Sequence, residues 1–228
     1  MRTNALLLAA VLCVASSASA QDGGTVPDAN ALIERLVKGN ERFVGAEMAA
    51  CKASDHWTRE KLAKGQKPFA IVLSCSDSRV PPEIVFDQGL GEIFVIRVAG
   101  NVPDPIVLGS IEYAAEHLGS PLLVVLGHER CGAVTAAVDT PGEPEGNVGA
   151  IIKAIAPAVK QAKKDLPNAE KAELVQAAVT DNVANVAAAI PVQSKVLGKM
   201  VKDHKITIVG ATYDLDDGKV TWLKAPAK

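Results

Sequence analysis

Aromatic residues are scarce in this chain, 4% of the total, and basic residues do not outnumber acidic ones: 24 Lys and Arg stand against 26 Asp and Glu. Without a basic excess or a stripe of interleaved aromatics and cations, the chain lacks what nucleic-acid binders use to track phosphates and stack bases. No run of roughly 18 apolar residues occurs, so no segment is long enough to span a bilayer comfortably as a helix. No Cys-x-x-Cys pair is present, which leaves thiol–disulfide exchange without two adjacent sulfurs. Internal repeats, long linkers and low-complexity tracts are also missing. These absences point to one globular domain with a small-molecule partner.

The first twenty residues, "MRTNALLLAAVLCVASSASA", combine one positive charge, an apolar stretch from Ala5 to Ala15 and small residues ending in Ala18-Ser19-Ala20. This is the three-part pattern of a secretory signal, with cleavage expected between Ala20 and Gln21, and it predicts a periplasmic or secreted protein with no membrane attachment after signal removal. Residues 21–27 read as a flexible tail and residues 28–228 as a single domain. Removing the signal leaves 208 residues, enough for one sizeable core, and moves the formal charge from −2 to −3. Cys13 would leave with the signal. Three cysteines then remain, Cys51, Cys75 and Cys131, an odd number that does not suit a disulfide framework in an exported protein. A bound metal would both protect such thiols and give them work.

"DANALIERLVKGNERFV" has helical spacing, with Asp28 or Asn30 as cap and Gly39 near the far end; "HWTREKLAKGQKP" predicts a second short helix ending at Gly65. "FAIVLS", "EIFVIRVAG" and "PLLVVLG" predict buried strands. "DPIVLGSIEYAAEHLG" predicts a helix with Pro105 in its first turn, and "CGAVTAAVD" opens another. From Asn147 to Val201 the composition predicts several helices broken at Pro157, Pro167 and Pro191. "KITIVGATYD" and "KVTWL", joined by "LDDG", predict a closing hairpin. Alternating strands and helices imply an α/β fold: a central, mostly parallel β-sheet with an antiparallel edge strand, flanked by helices.

Two of these strands end in chemistry. "LSCSDSRVPPE" places Cys75, Asp77 and Arg79 at alternate positions just past "FAIVLS", and "GHERCGA" places His128 and Cys131 just past "PLLVVLG". Both loops should lie at the carboxyl edge of the sheet, where open α/β folds build their sites. If the two strands are neighbours, two thiolates and one imidazole converge, a donor set suited to tetrahedral zinc. Three protein ligands leave a fourth position open, as catalytic rather than structural zinc sites do. Any one of these cysteines alone would read as a small core residue; the set does not.

"CSDSR" followed by "HERCGA" resembles the β-class carbonic anhydrases, zinc enzymes that interconvert carbon dioxide and bicarbonate. The resemblance extends through "ALIERLVKGNERFV", "GQKPFA", "FDQGLGEIFVIRVAGN", "IEYAAEHLG" and "IVGATYDLDDGKV". It implies one Zn2+ per subunit on Cys75, His128 and Cys131, and a homodimer or dimer of dimers. It also implies a water at the open position, deprotonated to hydroxide, that attacks carbon dioxide. A two-thiolate zinc centre is formally neutral and should acidify water less than a three-imidazole centre, so an acceptor that holds the nucleophile matters more. By resemblance Asp77 is that acceptor, kept ionised and aimed by the guanidinium fork of Arg79. In some family members the acid instead binds zinc at lower pH, so Asp77 is also a conditional fourth ligand.

The resemblance further assigns Gln66, nine residues before Cys75, to a hydrogen bond with substrate, and Phe94 and Tyr113 to pocket walls partly lent by a neighbouring subunit. Read on their own, Phe94 and Tyr113 would be ordinary core residues. Gly132 opens a helix, so its backbone N–H could face an anionic intermediate. One branch of the family forms a regulatory bicarbonate pocket with a tryptophan three residues before the first zinc cysteine and a glycine immediately before it. Val72 and Ser74 stand there instead, so no such pocket is expected. His117 and His204 read as surface or structural residues. "CKASDHW" brings together Cys51, Asp55 and His56, which reads as a loop before it reads as a second metal site or proton shuttle. Two alternatives stay open: hydrolysis of carbonyl sulfide or carbon disulfide by the same site, and a zinc-binding interaction protein without catalysis.

Overall fold

The computed structural model describes residues 28–50, 54–140 and 146–223. The expected signal, the tail at 21–27 and Cys51 lie outside the described residues. Five strands form one sheet: β1 (Ala70–Ser74), β2 (Ile93–Arg97), β3 (Leu122–His128), β4 (Thr207–Tyr213) and β5 (Val220–Trp222), in the order β2-β1-β3-β4-β5. The first four pair in parallel and β5 runs antiparallel to β4 at the edge. The chain first builds outward from β1 to β2 and then returns to place β3 on β1's other side. That reversal between β1 and β3 opens a crevice at their carboxyl ends.

Alternate residues of the central strands feed two cores. Ile71, Leu73, Leu123 and Val125 are buried on one face, beneath α4 (Pro105–Glu112), α7 (Lys171–Gln193) and α8 (Lys195–Lys202). Ala70, Val72, Leu122, Val124 and Leu126 are buried on the other, with Leu36 of α1 (Ala29–Val44) and Phe86, which follows α3 (Pro82–Val85). Burial on both faces explains why these strands read as continuous apolar runs rather than alternating ones. A third core joins α5 (Gly132–Asp139), α6 (Val148–Asp165) and α7, and includes Cys75 and Cys131. The short α2 (His56–Leu62) precedes β1 and ends before Gly65.

The helix expected over "DANALIERLVKGNERFV" is present as α1, with Gly39 inside it and the last turn running on to Val44; the breaks expected at Pro157 and Pro191 are corrected below. A Cβ at position 39 would sit 1.8 Å from the Phe86 carbonyl oxygen, so this glycine admits a neighbouring backbone instead of ending the helix. The next residue, buried Asn40, donates to the carbonyls of Val85 and Gly218 and accepts from the N–H of Val220, tying α1 to α3 and the closing hairpin. Likewise Pro157 and Pro191 lie within α6 and α7, and only Pro167 falls between helices. A proline removes one backbone hydrogen bond and crowds the preceding turn. Burial of Ile155, Ala158 and Val159 around the first, and of Ile190 beside the second, outweighs that loss.

Candidate metal centre

β1 and β3 are adjacent and parallel, with Ser74 opposite Leu126. Cys75 therefore leaves one strand beside the point where His128 ends the next, and the short turn after β3 returns Cys131 to the same spot as the residue capping α5. One donor atom from each of the three lies within 4.8 Å of the other two, and all three residues are buried. The sulfurs are 4.0 Å apart, far beyond the roughly 2.05 Å of a disulfide. That separation is close to the ~3.8 Å expected of two thiolates each ~2.3 Å from one tetrahedral ion.

The imidazole is pre-aimed. His128 Nδ1 donates to the Glu129 carbonyl at 2.8 Å, which leaves the Nε2 lone pair as the free acceptor. Nε2 is fully buried and has no protein partner. Such an atom is costly to bury unless something fills its lone pair. The thiols are polarised against each other. The bond from Cys131 pulls the Cys75 thiol down to about 4 against the effect of burial, helped by the Gly100 N–H at 3.3 Å. The same bond, with burial, pushes the Cys131 thiol up. A borderline-soft divalent ion would take both sulfurs as thiolates and the imidazole as a neutral ligand, and the residues present fit zinc on these grounds.

Asp77 and Arg79 flank this group. The Arg79 guanidinium makes two parallel bonds to the carboxylate, 2.9 and 2.8 Å, and the Arg79 backbone N–H adds a third at 3.0 Å. The Arg79 side-chain bonds outweigh partial burial and hold the Asp77 carboxyl well below the usual carboxylate range. Asp77 Oδ2 faces His128 Nε2 at 3.9 Å. Sequence reasoning missed Arg97, whose guanidinium donates to the carbonyls of both Cys75 and Asp77 and so clamps the loop that carries them. It also missed Asn182, considered below.

The remaining candidates are not gathered here within one chain. Gln66 is exposed in the segment before β1, so the strand, about 17 Å long at ~3.3 Å per residue, separates it from Cys75. Phe94 lies on β2, its ring 6.3 Å from that of half-exposed Tyr113, in the π-helical turn Tyr113–His117 that follows α4. Gly132 is exposed at the first position of α5, with open space where a Cβ would be. His117 and His204 are exposed. Asp55 caps α2 by accepting from Thr58 N–H, and exposed His56 is that helix's first residue. A cavity of about 570 Å³ between α5 and α6 shares no residue with the donor group. Donor chemistry, not cavity size, locates the site.

Comparison with known proteins agrees with this geometry. A family model described as carbonic anhydrase matches residues 70–220. Carbonic anhydrase 2 of Mycobacterium tuberculosis is 44% identical over 189 residues, covering 81% of this chain and 87% of the relative. A carbonic anhydrase of Mycolicibacterium smegmatis is 39% identical over 202 residues, covering 86% and 94%. Among solved structures, the β-carbonic anhydrase CafA of Aspergillus fumigatus superposes with a TM-score of 0.69 at 27% identity, covering 87% and 93%.

Proposed function

This chain belongs to the β-class carbonic anhydrases, and from that premise we propose that it hydrates carbon dioxide reversibly to bicarbonate and a proton with zinc held by Cys75, His128 and Cys131. The observation that carries the reading is the buried, unpartnered Nε2 of His128 facing two sulfurs. Zinc would supply Lewis acidity, making a water nucleophilic near neutral pH.

The protein's own groups do the rest. Asp77, ionised and fixed by Arg79, accepts a hydrogen bond from the attacking water and so turns a lone pair toward carbon dioxide. Arg97 holds the backbone on either side of Ser76, so Cys75 and Asp77 keep their relative positions. The N–H of Gly132, at the start of α5, is available to an oxygen of the anionic product.

We place Gln66, Phe94 and Tyr113 in the site of a neighbouring subunit within a dimer or dimer of dimers. The outer edge of β2 has no strand beside it among the described residues, and Tyr113 is half exposed next to Phe94. Sedimentation of the protein as a monomer at micromolar concentration would contradict this placement. Export is supported by the leader-like residues 1–20; protein recovered from whole cells in the cytoplasmic fraction with residues 1–20 still attached, by intact-mass analysis, would argue against it.

Stopped-flow hydration with a pH indicator, on protein shown by metal analysis to carry one zinc per chain, tests the activity. The expected result is hydration that rises toward alkaline pH. A full zinc complement with no hydration near pH ~8.5, where the nucleophile should be available, would reject the reading.

A further inference from the structure

We propose that Asn182 is a positioning residue for the metal centre: through the Gly100 carbonyl it fixes the backbone N–H that Gly100 directs at the Cys75 sulfur. In doing so it sets how strongly that sulfur donates to the ion. The inference rests on the metal reading above and concerns a residue far from the ligands in sequence.

The turn that delivers this N–H is an improbable one. Gly100 (φ +71) and Asn101 (φ +45) are successive left-handed residues in the 3-10 turn Ala99–Asn101 after β2. Left-handed backbone is free only for glycine, and asparagine tolerates it better than most other residues, in single positions rather than in runs. A side chain at position 100 cannot brace the turn, because its Cβ would lie 2.7 Å from Ile155 Cδ1 and 3.3 Å from Ala133 Cβ. The brace comes from α7. Asn182, 2% exposed, donates from Nδ2 to the Gly100 carbonyl at 2.9 Å. On the other side of the same residue, Gly100 N–H reaches Cys75 Sγ at 3.3 Å.

Asn182 is itself held rigidly. It lies among buried Val179, Val183 and Val186, where an amide is costly unless it is used. Its neighbour Val183 packs so closely on β3 that a Cβ at Gly127 would lie 2.5 Å from Val183 Cγ2. Gly127 immediately precedes His128. One helix thus abuts the strand carrying the imidazole and, one residue earlier, steers the donor to a thiolate. An N–H···S bond draws electron density from sulfur and weakens its donation to a metal. In a centre neutralised by two thiolates, that withdrawal restores Lewis acidity.

The test uses the full chain with cobalt in place of zinc, read by its sulfur-to-cobalt charge-transfer absorption, together with zinc affinity by competition with a chelator. Asn182→Leu keeps the shape and deletes the donor. The expected result is a shift of the charge-transfer band to lower energy, as the freed sulfur donates more, with zinc binding nonetheless weakened about 10- to 100-fold because the turn beside Cys75 is no longer held in place. Val186→Ala, which removes a buried contact of α7 without touching Gly100, should lower the melting temperature and leave band and affinity unchanged. If Asn182→Leu behaves like Val186→Ala, less stable but spectrally and in affinity unaltered, the proposal is overturned. Should the leucine variant not fold, Asn182→Ser, too short to span the contact, is read the same way and should give the same shift; an unchanged band overturns the proposal. Wild-type protein without any sulfur-to-cobalt band would overturn the metal reading itself, a failure distinct from that of Asn182.

Discussion

Oδ2 of Asp77 stands 3.9 Å from Nε2 of His128, too far for a hydrogen bond, and the imidazole, not the carboxylate, belongs to the close group with the two sulfurs. On the proposed function the imidazole would be spent on metal and the carboxylate left for water. Asp77→Asn should therefore bind a full equivalent of zinc yet lose hydration by about 10²-fold or more. Metal analysis and stopped-flow rates on the same sample check this. Retained activity would remove Asp77 from the chemistry, and lost zinc would make it a ligand.

Asp87 is a second ion pair with a different job. Its side chain is wholly buried; burial alone would raise its pKa, but the N–H groups of Ala49 and Ala50 and the Arg42 guanidinium outweigh it and hold the carboxyl below its ordinary value. A folded pKa below the unfolded one gives stability that is present above ~pH 4 and lost as pH falls through the folded value. Asp87→Asn should cost about 1–3 kcal/mol at neutral pH. The gap to wild type in denaturant melts should narrow as pH drops below ~4. A gap that widens with acid would contradict this assignment.

Gly39→Ala sets local propensity against packing. In an isolated helix alanine would gain about 1 kcal/mol over glycine. Here the new methyl would meet the Phe86 carbonyl, which is held in place because Phe86 is fully buried. The expected outcome is a net loss of about 1–3 kcal/mol in urea unfolding, as for other overpacked sites.

Val72 and Ser74 are buried in β1, where one branch of the family places its pocket-forming tryptophan and glycine. Bicarbonate should therefore inhibit as a simple product. Steeply cooperative inhibition curves would show a regulatory anion site after all.

The fold class and the donor set were legible because each rests on a local pattern with one dominant physical cause. The runs "AIVLS" and "LLVVLGH" are buried on both faces, and Cys75, His128 and Cys131 lie at or within three residues of strand ends. What was not legible depends on contacts between distant parts of the chain. The role of Gly39 was hidden because nothing near it in sequence reveals Phe86, and Pro157 and Pro191 looked like breaks because burial that offsets them comes from other helices. Arg97 and Asn182 act on backbone carbonyls of Cys75, Asp77 and Gly100, which no side-chain motif advertises. A faint signal was present for Asn182: of the two asparagines in "DNVANV" it is the one at helical spacing from Val175, Val179 and Val186.

The most direct test is X-ray absorption at the zinc edge of the loaded, full-length protein at alkaline pH. The predicted shell holds two sulfurs at about 2.3 Å, one imidazole nitrogen at about 2.0–2.1 Å and one further light atom from solvent. A shell without sulfur, or one whose fourth position is filled by protein under those conditions, would contradict it.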